Sequence, residues 1–162
     1  MGERSKSTAE RGRFKESIHA ALFKSKNIRE LIMGNSSLSG VKLMAEFKNH
    51  VKSHLFVDDV VQETDTFIYY DVILPSLYSN IKKCKVIMYL ICHRDILETY
   101  SKEGYYGNRI DILSQMVEDA LINNKEVARG FGIGDLTLDS VDIYNSTRFY
   151  GCVMTFSVPT FR

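Results

Sequence analysis

Apolar residues recur near a helical period at Phe14, Ile18, Ala21, Leu22, Ile28, Leu31 and Ile32. That spacing places them on one stripe of an amphipathic helix. Ahead of the stripe, Ser7-Thr8-Ala9-Glu10 has the form of a capping box, and behind it Gly34 stands where a helix should stop. The polar run Lys24-Ser25-Lys26-Asn27 predicts a break into two helices, with Asn27 capping the second. Asn35 to Gly40 reads as a loop. Val41, Met44, Ala45, Phe47, Lys48 and Val51 then predict a further amphipathic helix.

After this the pattern changes period. Thr66 to Leu74 is β-branched and aromatic and is closed by Pro75, as a strand would be. Cys84 to Cys92 (CKVIMYLIC) is almost wholly apolar, which predicts a strand buried on both faces. Ile110, Leu113, Met116, Val117, Ala120 and Leu121 return to helical spacing, from a start near Asn108 to an end near Asn124. Gly134 to Tyr144 and Phe149 to Val158 read as two strands of a hairpin turning at Asn145-Ser146-Thr147. The fold class is therefore α+β: N-terminal helices, then a mostly antiparallel four-stranded ββαββ sheet with a helix packed on one face. Residues 1–54 form the helical region and 55–162 the α+β core. At 162 residues the two belong to one compact domain.

Charge adds a polarity that the net value of +1 conceals. Residues 1–54 hold eleven Lys/Arg against five Asp/Glu, and residues 55–162 hold ten against fifteen. A nucleic-acid binder is expected to be basic across its folded domain. Two electrically different ends suit stacking or head-to-tail contact, and a solvated basic helix accounts for the same numbers equally well. No apolar run approaches the length of a membrane span, and the N-terminal stretch lacks the apolar segment of a secretory leader. Cys84, Cys92 and Cys152 all lie in apolar strand-like runs, which predicts buried thiols in a reducing compartment.

Candidate chemistry is sparse. Gly130-Phe131-Gly132-Ile133-Gly134 invites a nucleotide reading, but a phosphate loop runs from strand to helix, and here a helix precedes and a strand follows. His50 and His54 share a helical face, yet Val51 stands where a zincin needs its Glu and no third ligand is placed. Cys92 and His93 are adjacent in a strand, so their side chains point to opposite faces and cannot form a dyad with each other. The expectation is a non-enzyme with neither cofactor nor metal. A small-ligand or nucleotide-binding α+β enzyme using the Gly130–Gly134 loop is the alternative.

The stretch GYYGNRID, Gly104 to Asp111, divides into two jobs. Asn108 is a good N-cap and Asp111, three residues on, favours the positive end of the helix. Tyr105 and Tyr106 are left on the loop before it, either tucked over the helix end or offered to a partner.

The unit KVIMYLICH, GYYGNRIDILSQMVEDAL, a glycine turn, GIGDLTLDSVDIYN and FYGCVMTFSVPTFR resembles the head–tail connector and tail terminator proteins of tailed bacteriophages. The likeness covers about residues 66–162. It implies a small α+β subunit of a ring, commonly of six, in the virion neck. Its partners would be further copies of itself and the other neck, connector and tail tube proteins. Genomic DNA would pass through the ring without specific binding, and no membrane would be involved. Candidate interface residues on this reading are Tyr105, Tyr106, Arg109, Phe131, Arg148 and Tyr150. The long helical N-terminal third departs from the smallest members of that group.

Overall fold

The computed structural model describes residues 7–35, 37–58, 63–74, 81–122, 124, 125, 127 and 136–161. Helix α1 (Ser7–Lys24) and helix α2 (Lys26–Met33) are separated at Ser25, as the polar run predicts. The cap, however, is Ser25 and not Asn27: the Ser25 hydroxyl accepts from the Ile28 N–H at 3.2 Å. Asn27 lies within the first turn and turns its amide to Tyr105 instead. Gly34 ends α2 at φ 70°, a left-handed conformation for which glycine is suited. Helix α3 (Gly40–His50) follows, and the chain then extends into a two-residue strand, β1 (Val51–Lys52).

The remaining elements are β2 (Thr66–Ile73), β3 (Ile81–His93), a 3-10 turn at Arg94–Ile96, α4 (Arg109–Leu121), β4 (Thr137–Asn145) and β5 (Phe149–Phe161). The class is α+β, but the sheet has five strands in the order β1-β2-β3-β5-β4, not four. The additional strand, β1, pairs parallel to β2 through Val51 and Lys52. The other neighbouring pairs, β2 with β3, β3 with β5 and β5 with β4, are all antiparallel. Val51, read in sequence as the last apolar position of a helix, therefore belongs to the sheet.

The β4–β5 hairpin folds back so that β5 enters between β3 and β4. Strands β3 and β4 thus run parallel with one strand between them, and α4 is the crossover that joins them, a split βαβ arrangement. That topology lays α4 over one face of the sheet. Ile110, Leu113, Met116, Val117 and Leu121 of α4 meet Val86, Met88, Leu90, Met154 and Phe156 of the central strands there. Phe14, Ile18 and Leu22 of α1 and Ile28 and Leu31 of α2 enter the same core. The helical N-terminal residues and the sheet consequently share one apolar interior.

Strand β3 corrects a second expectation. Its core-facing side, Cys84, Val86, Met88, Leu90 and Cys92, is sealed, but Lys85 on the opposite side is exposed and Ile87 and Tyr89 are only half-buried. All four helices contribute to the first face. Among the described residues the opposite face is covered only near the His93 end, where Phe67, Tyr69, Ile91 and Phe149 cluster beneath Leu55 and Val57. A run of apolar residues here reflects an aromatic, half-open second face and not burial throughout.

Helix α1 is tied to β2 by polar contacts as well. Arg11 donates to the Val72 carbonyl at 2.5 Å and to Asp71 at 2.6 Å, and Lys15 pairs with Asp71 at 2.8 Å. The Tyr70 hydroxyl donates to the Lys15 carbonyl at 2.9 Å.

Candidate functional site

The loop ahead of α4 is built by its cap. Asn108 Oδ1 accepts from the N–H groups of Ile110 and Asp111, both at 3.0 Å, and Asp111 accepts from the Asn108 N–H at 2.9 Å. This reciprocal pair satisfies amides that helix geometry leaves open. Gly107 sits at φ 100°, with the Asp111 carboxylate in the space where a Cβ would stand, so the tight approach depends on glycine.

The two tyrosines separate. Tyr105 folds inward: it packs against the main core, its hydroxyl accepts from Asn27 Nδ2 at 3.1 Å and reaches Asp119 at 3.5 Å. Tyr106 is 78 % exposed. Its backbone is nonetheless fixed, because Gln115 accepts from the Tyr106 N–H at 3.2 Å and donates to its carbonyl at 2.6 Å. The ring is thus presented outward from a clamped main chain.

Arg109 faces inward. Its guanidinium donates to the carbonyls of Ile96 (3.0 Å) and Leu31 (3.1 Å), reaches the hydroxyls of Thr99 and Thr66, and lies over the Tyr100 ring. It ties the end of α2, the start of β2 and the 3-10 turn to the first residue of α4. Arg148 is exposed on the β4–β5 turn, where its carbonyl accepts from the Arg94 N–H. Tyr150 is half-buried at the head of β5. Phe131 and the whole Gly130–Gly134 segment lie outside the described residues. Tyr106 and Arg148 are therefore the sequence-selected positions with a fully outward side chain among those described.

The groups weighed for chemistry have structural partners. His50 is buried, stacked on Phe67, with Nδ1 at 3.1 Å from the Thr66 carbonyl and Nε2 at 3.3 Å from Glu46. His54 is exposed and accepts from the Phe56 N–H. Among the described residues no three His, Cys, Asp or Glu side chains gather as a metal ion would need. Cys92 points into the core while His93 points to the other face against Phe149. His93 Nδ1 accepts from the Asp95 N–H and caps the 3-10 turn. Burial pushes the thiols up, Cys84 and Cys152 to about 12 and Cys92 to about 11, so none is a ready thiolate at neutral pH.

Sequence reading missed two surface features. Val141 and Ile143 of β4 are 53 % and 75 % exposed, because β4 is the edge strand beyond the reach of α4. At the far edge of the sheet a groove of about 610 Å³ opens between α1, α3 and β1. Only the alternation of Val141 and Ile143 with Ser140, Asp142 and Tyr144 was visible in the sequence, and it does not say which face a helix covers. Among the described residues no helix is long and apolar enough to cross a membrane.

No curated protein matches the chain. A family model described as YomW matches residues 17–158, from within α1 to near the end of β5. The match takes in part of α1, the other three helices, the sheet up to near the end of β5 and the tyrosine loop, and the chain belongs to the YomW family.

Proposed function

We propose that this chain is a non-enzymatic structural protein of a tailed bacteriophage, a subunit of a ring at the head–tail junction. Such a ring joins or caps the tail and leaves a passage for DNA. The family's name is phage-derived in style and suggests a phage protein, without specifying a place in the particle. The neck assignment rests on the resemblance of residues 66–162 to connector and terminator proteins.

The observation that carries an assembly role is Tyr106. A large aromatic side chain 78 % exposed on a backbone held by both atoms of the Gln115 amide contributes little to a monomer. It has the properties of an interface anchor: much contact area, few torsions to immobilise, and a fixed origin.

Negative-stain electron microscopy of the purified chain tests the reading directly. Closed rings of uniform diameter are expected, and a homogeneous field of monomers overturns the assignment. In a phage carrying Tyr106→Ser, unjoined heads and tails, or tails of uncontrolled length, are expected. Complete particles at normal titre would remove Tyr106 from the interface.

A further inference from the structure

The two edges of the sheet differ in a way that fits them to each other. At one edge, α3 turns Val41 (82 % exposed) and Met44 (50 % exposed) to solvent. Met44 borders the groove between α1, α3 and β1, whose floor includes Phe23, Val51 and Tyr70. Four lysines line that groove beside one carboxylate, Glu16, and of these Lys15 is already paired with Asp71 of β2. Lys48 and Lys52 stand on its α3 and β1 sides. At the opposite edge, β4 carries Asp139 and Asp142 and no basic residue, and it exposes Val141 and Ile143 on one side.

We propose that the β4 edge of one copy of this chain seats in the lysine-rimmed groove of the next. Val141 and Ile143 enter the apolar floor beside Met44, while Asp139 and Asp142, which project from the other face of β4, meet the lysines at the rim. The occupant is a second copy because both halves of the contact are present on one chain with opposite charge and matching apolar character. Pairing either edge with itself would set lysine against lysine or aspartate against aspartate. The two patches lie at opposite ends of the strand order β1-β2-β3-β5-β4, so the contact is head-to-tail. Repeated, it generates a closed ring or an open filament according to the rotation per subunit. This deepens the ring reading and rests on it.

Two surface variants test the contact. Val141→Glu with Ile143→Glu spoils the β4 edge, and Met44→Glu with Lys48→Glu spoils the groove. All four positions are exposed, so denaturant melts should match the parent chain. If the edge variant fails to fold, Val141→Thr with Ile143→Thr keeps the strand propensity and replaces it. Mass photometry and sedimentation should give an assembled parent chain and monomeric variants, with association weakened about tenfold or more. Mixing the edge variant with the groove variant leaves one intact contact per pair. A one-to-one dimer is therefore expected, and nothing larger. Raising the salt should dissociate the parent assembly. Variants that assemble like the parent overturn this interface and leave the ring reading standing. A mixture that stays monomeric overturns the head-to-tail arrangement. A parent chain that remains monomeric up to about 1 mM overturns the ring reading itself, and this contact with it.

Discussion

Asn108 sets where α4 begins, by accepting from two backbone amides while Asp111 returns the contact. Replacing it with alanine strands those amides at the helix start. Asn108→Ala should cost about 1 kcal/mol in urea melts, and an unchanged midpoint would mean the end is held by Gly107 and Gln115 alone. The neighbouring tyrosines should respond in opposite ways. Tyr105→Phe deletes a hydroxyl bonded to Asn27 and near Asp119 and should lower stability by about 1 kcal/mol. Tyr106→Ser removes an outward ring and should leave the melt within about 0.5 kcal/mol of the parent. Equal losses for the two would contradict the division of labour between them. That division could not be read from the sequence, since two identical adjacent residues differ only in what the fold brings near. Asn27 approaches Tyr105 across 78 positions of chain. Arg109 was opaque for the same reason, because its acceptors come from Leu31, Thr66, Ile96 and Thr99.

At the scale of elements, sequence pattern worked where one period persisted. The stripe of α4 and the alternation of β5 lie where periodicity puts them. Strand β1 was illegible because two residues carry no period, and it forms only because Val51 and Lys52 emerge from α3 beside β2. The apolar run of β3 overstated burial, since among the described residues helices cover one face and a short segment covers only the end of the other. Gly151 illustrates a constraint that neither pattern nor propensity reports. It sits opposite Ile91 on β3, and a Cβ there would collide with the Leu90 carbonyl oxygen and stand 2.8 Å from the Ile91 Cα. Both obstacles are backbone, so relief requires the two central strands to separate. Gly151→Ala should therefore destabilise by about 3 kcal/mol, the upper part of the range for overpacking. A loss below about 0.5 kcal/mol would mean that β3 and β5 part without disturbing the core beneath them.

The whole molecule depends on α1 staying docked to the sheet, and two titratable groups at that junction predict how docking responds to acid. His19 on α1 is pushed below the usual histidine value, first by burial and then by Lys48 nearby. Burial alone would raise the Asp71 carboxyl. Lys15, the Val72 N–H and Arg11 outweigh it and hold the group below the usual carboxylate range. Both shifts have the same sign: the folded chain binds each proton less readily than the unfolded chain. Each contribution is complete above the group's unfolded pKa and disappears as pH falls through its lowered folded value. Stability should therefore decline in two stages. The first begins below about pH 6.5, where His19 starts to titrate in the unfolded chain, and the second below about pH 4 with Asp71. Urea melts of the parent, His19→Gln and Asp71→Asn between pH 7.5 and 2.5 separate the stages. His19→Gln should flatten the first decline and leave the second. Asp71→Asn should cost about 1 kcal/mol at neutral pH, where it removes a part-exposed charged pair, and its deficit should vanish in strong acid, where Asp71 is neutral in either state. A deficit that persists undiminished at pH 2.5 would mean that α1 is held to β2 by the Val72 carbonyl and the apolar contacts of Phe14, Ile18 and Leu22, with the ion pairs contributing nothing.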